Sequence, residues 1–91
     1  MRREEIFMAV SIKKIPLSDA QTGDIVRLIS LDIEGTMRRR LLDLGLIPGA
    51  LIQVLQKSPL GDPVALRVSQ TTIALRLEER SQIWVEKVGD A

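Results

Sequence analysis

Arg38-Arg39-Arg40-Leu41-Leu42-Asp43-Leu44-Gly45-Leu46-Ile47-Pro48-Gly49 spells a short helix, its stop signal and a turn. Met37, Leu41 and Leu44 fall at i, i+4 and i+7 and make one apolar stripe of an α-helix. Gly45 follows as the residue best able to take the left-handed conformation just past the helix end. Counting back from it makes Leu41 the third residue from the C-terminal end and Leu46 the second residue beyond the cap. These two positions touch in a Schellman stop, so Leu46 should fold back and cover the end of the core. Pro48-Gly49 suits the central pair of a type II turn, Pro presetting φ and Gly accepting φ > 0. A strand should begin directly after it.

Working outward, Leu17-Ser18-Asp19-Ala20-Gln21-Thr22-Gly23 carries a capping-box spacing, Ser18 to Gln21, and reads as one helical turn closed by Gly23. From Ile25 to Ile33 the residues are β-prone, with Ile25, Ile29, Leu31 and Ile33 on one parity and Arg27 interrupting it. Thr36 is the expected N-cap of the helix. Leu51 to Lys57 reads as the second strand, Ile52 and Val54 on one face, Gln53 and Lys57 on the other, with Leu55 sharing the polar face. Ser58-Pro59-Leu60-Gly61-Asp62-Pro63 is a dense turn, its prolines excluded from a central ladder. Val64, Leu66 and Val68 alternate in a third strand, and Ile73, Leu75 and Leu77 in a fourth after a reversal at Ser69-Gln70-Thr71. Leu77 to Gln82 is polar enough for an exposed turn or a single helical turn. Ile83 to Val88 makes the fifth strand, and Trp84 in it is expected in the core. Five short strands with one helix between the first two predict a mainly β protein, a small, strongly bent antiparallel barrel.

The chain has 91 residues, enough for one domain that buries about 60–65% of its unfolded surface. With 45% hydrophobic and 27% charged residues it has a globular composition. A formal net charge of +1 gives no ground for a nucleic-acid partner. There is no Cys and no His, which removes disulfides, thiolate metal sites, cysteine nucleophiles and the usual neutral-pH acid/base residue together. No paired-carboxylate pattern replaces them, so the chain is not expected to be an enzyme. The segment Ile6 to Val10 is too short and too close to Glu4 and Glu5 for a signal peptide. No apolar run approaches the ~18 residues of a membrane span, so a cytoplasmic protein without direct membrane insertion is expected. Met8 is an alternative start. Residues 1–16 are expected as an N-terminal extension, 17–88 as the barrel domain and 89–91 as a C-terminal tail.

Three stretches resemble one family in register: Arg39 to Gly49, then Pro59-Leu60-Gly61-Asp62-Pro63, then Ala74-Leu75-Arg76 with Glu78-Glu79. The match is collinear over about Leu17 to Glu86, and the family it resembles is FeoA. The resemblance implies an SH3-like five-stranded antiparallel barrel that is a cytosolic accessory of ferrous iron transport. The implied partner is the cytosolic part of an FeoB-type transporter. Similar domains form the C-terminal part of metal-dependent repressors, so a stand-alone regulatory domain of that kind is the alternative. Family members commonly carry Gly where this chain has Gln70, and a non-Gly residue at φ > 0 there would reshape the turn.

Six residues are candidates for partner binding: Arg38, Arg39, Arg40, Leu55, Leu60 and Asp62. The three arginines are either a solvated helix face or a face for an acidic partner. Three cations in the first half of a short helix oppose the macrodipole, which favours the second reading. Leu60, at a hairpin tip, is either folded back onto the barrel or offered to a partner, and Leu55 either joins that contact or is a scattered surface leucine. No cofactor is expected. Any metal site would be built from Asp32, Glu34, Asp62, Glu78 or Glu79, a hard-ion set that does not select Fe(II). The SH3-like topology does not imply proline-rich peptide binding, because Phe7 and Trp84 are the only aromatics. An open barrel edge could pair two chains, and the sequence does not say which edge.

Overall fold

The computed structural model describes residues 13–90; the Ile6–Val10 segment and the Met8 start lie outside them. Six strands form one antiparallel sheet. They are β1 (Ile15–Pro16), β2 (Asp24–Leu31), β3 (Leu51–Lys57), β4 (Val64–Val68), β5 (Thr71–Leu75) and β6 (Ile83–Asp90). Helix α1 (Gly35–Asp43) lies between β2 and β3, and the one-turn helix α2 (Leu77–Arg80) between β5 and β6. The spatial order is β1-β6-β2-β3-β4-β5. The five strands read from the sequence are β2 to β6. The sixth, β1, comes from the stretch assigned to the N-terminal extension and pairs Ile15 with Val85 and Pro16 with Trp84.

The stop signal is built as the sequence dictates. The Leu46 amide donates to the Leu41 carbonyl at 3.0 Å and Gly45 to Leu42 at 3.0 Å, the two bonds of a Schellman motif. Gly45 has φ of 104°, and Leu46 and Leu41 are both buried. Across the next turn Ala50 donates to Ile47 at 2.9 Å, with Gly49 at φ 94°. The N-terminal end of α1 differs. Its cap is Glu34, without a side-chain bond, rather than Thr36. The 3-10 turn Leu17–Asp19 forms, but Ser18 caps nothing; Asp24 Oδ2 accepts the Gln21 amide instead, at 2.9 Å.

The parity of β2 is also corrected. Val26 and Leu28 point inward, then Leu31 and Ile33, because a register shift against β6 between Leu28 and Ser30 leaves Ile29 as an extra residue in β2. A bulge inserts one residue and flips the face that follows it, so before it Ile25 and Arg27 alternate with the buried Val26 and Leu28, and Ile29 is the half-buried extra residue. Trp84 lies outside the core for the same period-two reason. Ile83 and Val85 take the inward positions, leaving Trp84 half-buried with its indole N–H donating to Asp32 Oδ2 at 2.7 Å and Lys14 over its ring. In the β4–β5 hairpin the positive φ falls on Ser69, at 56°, and not on Gln70.

Asp24 ties the start of β2 to the end of β6. Lys87 Nζ lies 3.3 Å from Asp24 Oδ1 and 3.0 Å from Asp90 Oδ1. The Gln21 amide holds the Asp24 carboxyl below its ordinary 3.8, with Lys87 helping and burial opposing; Lys87 is raised above 10.5, first by Asp90 and then by Asp24. A depressed carboxyl contributes stability that is present above its unfolded value and lost as pH falls through the folded one. Asp24→Asn is therefore expected to lower the melting temperature at neutral pH and to flatten its fall in acid below about pH 4. Thermal melts across the acid range check this. The Lys87 contribution has the opposite sign, present below 10.5 and lost above the raised value.

Candidate functional site

Two surfaces carry the candidate residues. On α1, Arg38, Arg39 and Arg40 are all exposed. They do not act alike. Arg38 Nη1 donates to the Leu31 carbonyl at 2.8 Å, so its guanidinium is anchored to the end of β2. Arg39 and Arg40 make no ion pair or side-chain hydrogen bond among the described residues. A shallow depression of about 320 Å³ lies beside them, lined by Gly35, Arg38, Arg39, Leu42 and Asp43. Leu41 faces the core and is buried, so the stripe that holds the helix down fixes where Arg39 and Arg40 point.

The second surface centres on the β3–β4 loop. Gly61 donates to the Ser58 carbonyl at 2.8 Å, Ser58 Oγ to the Asp62 carbonyl at 2.7 Å, and the Asp62–Pro63 peptide is cis. This closes a tight turn with Leu60 at its tip, 94% exposed. Beneath it runs a groove of about 310 Å³ whose walls include Leu60, Leu77, Lys57 and Asp62, with Leu17 and Leu66 at its buried floor. Leu60 is thus offered to solvent. Asp62 has a role inside the fold. Its Oδ1 lies 3.1 Å from Arg80 Nη1, which also donates to the Leu75 carbonyl at 3.2 Å. The Arg80 side chain is 8% exposed and locks the loop to the end of β5. Leu55 is half-buried at a bulge of β3, where the β3–β4 register shifts between Val54 and Gln56, and does not line the Leu60 groove. The structure therefore brings Leu60 and Asp62 together, joins Leu77 and Arg80 to them, and leaves the arginines of α1 on a separate surface.

Leu77 and Arg80 escaped the sequence reading. Arg is mostly an exposed residue, so burial of Arg80 has no local signal. Glu79 three residues after Arg76 did offer one: its Oε1 accepts the Arg76 amide at 2.8 Å and starts α2. Of the acidic residues considered for metal, Asp32, Asp62 and Glu79 already serve Trp84, Arg80 and the Arg76 amide. Among the described residues no three His, Cys, Asp or Glu side chains converge. No helix there is long and apolar enough to cross a membrane.

The FeoA domain model matches residues 15–87. A "Fe(2+) transport protein A/Fe(2+) transporter FeoB fusion protein" of Porphyromonas gingivalis is 36% identical over 73 residues, which are 80% of this chain and 9% of that protein's length. The solution structure of FeoA from Chlorobium tepidum matches with TM-score 0.79 and 36% identity, over 82% of this chain and 71% of that one. FeoA of Stenotrophomonas maltophilia, described as a prokaryotic SH3 domain protein and solved with zinc, matches with TM-score 0.66 and 27% identity over 77% and 87%. A manganese-dependent transcriptional repressor shares the fold alone, at 20% identity and TM-score 0.72 over 86% and 44%.

Proposed function

The chain belongs to the FeoA family, whose domain is involved in ferrous iron transport, and from that premise we propose that it binds the cytosolic part of an FeoB-type transporter and modulates Fe(II) uptake. It acts in the cytoplasm as a non-catalytic interaction module. The observation that carries this reading is the relative in which the same domain and the transporter are one polypeptide. Covalent linkage keeps the two at high effective concentration, and an independent chain needs a binding surface to do the same.

Arg39 and Arg40 supply the charged part of that surface. Their guanidiniums have no acidic partner among the described residues, so an acidic patch on the transporter gains them without breaking an ion pair to any of those residues. Leu60 supplies an apolar contact. It is 94% exposed, so burying it on the partner contributes to affinity while its loss costs the isolated fold little. Arg38 contributes less, because its donor is committed to Leu31.

Arg39→Glu combined with Arg40→Glu is expected to weaken binding of the transporter's cytosolic domain at least about 100-fold, by putting like charge against the acidic patch. Leu60→Ala should weaken it about tenfold. Both variants should melt within a few degrees of the parent. An amide-shift NMR titration of the labelled protein with that domain tests the reading, perturbations clustering at residues 39–40 and at Leu60. A silent titration overturns it, and undiminished binding by a folded Arg39/Arg40 variant overturns the charged surface.

A further inference from the structure

The sheet has two edges, and they are built differently. At one end, β1 is two residues long, ends in Pro16 and follows Lys13 and Lys14. Shortness, proline and lysine are the devices that keep an edge strand from pairing with another chain. At the other end β5, Thr71-Thr72-Ile73-Ala74-Leu75, has none of them. It holds no charged residue and no proline, and its register against β4 runs without a bulge from Val64–Leu75 to Val68–Thr71. Among the described residues nothing pairs with its outer side. Thr71, Thr72 and Ala74 are exposed and Ile73 is half-buried. Beside the strand runs an open groove of about 300 Å³ with α1 as its far wall, lined by Met37, Arg40, Leu44 and Glu79 along with β5 itself.

We propose that β5 is the pairing edge for a second copy of this chain, strand against strand and antiparallel about a two-fold axis at Ile73. The chemistry of the strand favours its own copy. A two-fold pairing centred on Ile73 sets Thr72 against Ala74 of the second copy and Ile73 against itself. These are uncharged contacts, with β-branched residues at the centre, and an isologous interface needs such self-complementarity. The groove alongside carries one Arg and one Glu, so two copies meet without a net like charge. Half-buried Ile73, Met37 and Leu44 would be covered. Because β1 is blunted, pairing stops at two copies rather than running into a filament.

Sedimentation velocity of the full chain from micromolar to millimolar concentration should show a reversible monomer–dimer equilibrium. Thr72→Lys with Ala74→Lys places like charges opposite each other twice across the two-fold axis and should weaken the dimer about tenfold or more. Thr72→Glu with Ala74→Glu should do the same, and mixing the two folded double variants should restore dimers, now heterodimers. A parent chain that stays monomeric at millimolar concentration overturns the proposal. So does a dimer indifferent to both double variants. Protection of the β5 amides from exchange only when the transporter domain is added would overturn it too, by giving the edge to a strand of the transporter.

Discussion

Leu46→Ala is expected to destabilise the domain by about 3 kcal/mol, within the range for truncating a fully buried leucine. Leu46 has 0% exposure and sits where the Schellman stop folds the chain back, so its side chain closes the end of the core beneath α1. The neighbourhood cannot collapse into the space, because the Leu46 amide is bonded to the Leu41 carbonyl and Gly45 is fixed at φ 104°. In a domain of this size 1 kcal/mol moves the melting temperature by about 4–8 °C, so the drop should approach 20 °C. Calorimetry or urea unfolding checks it. A loss under 1 kcal/mol would mean that Leu46 is not part of the cooperative core.

Arg80→Ala should cost about 2–3 kcal/mol, through the lost bond to Leu75 and the space left under the groove. The Asp62 side chain is 42% exposed and returns to water once its partner is gone, which keeps the cost below that of an orphaned buried charge. Arg80→Met keeps the apolar stem and should recover about half of the loss. Urea unfolding of the two variants separates the contributions. The β3–β4 loop should also exchange its amides faster in Arg80→Ala. Stability and transporter binding then fall together, whereas Arg39→Glu with Arg40→Glu moves binding alone. An Arg80→Ala variant within 0.5 kcal/mol of the parent would make this pair no stronger than an ordinary surface ion pair.

What the sequence disclosed was what is decided within a few residues. The Gly45 stop and the Pro48-Gly49 turn are set by local φ and by hydrogen bonds spanning three to five residues, and both formed as read. Strands β3 and β4 matched to the residue because turn residues bound them, Pro48-Gly49 before β3, Ser58 to Pro63 between the two and Ser69-Gln70 after β4. The face of β2 was misread because a bulge is a relation between two strands: Ile29 is extra only by comparison with Trp84 and Val85 of β6. Trp84 could have been placed by giving Ile83 and Val85 priority; its size argued for the core and the period of two argued against it. The arginine run was legible, while Leu60 stood open between a folded-back and an exposed side chain until the structure gave 94% exposure; the ties of Arg38 to Leu31 and of Asp62 to Arg80 reach 7 and 18 residues along the chain and leave no local trace.

The ends of the sheet order have a consequence for how such a domain can be joined to others. Its first strand and its last are neighbours, Ile15 beside Val85, while Asp90 closes against Asp24. Strands β1 and β6 therefore share one flank of the sheet. The free edge β5 is thus at the opposite end of the strand order from the flank where Ile15 meets β6. A neighbouring domain carried on the β1–β6 flank of a longer polypeptide would leave β5 uncovered.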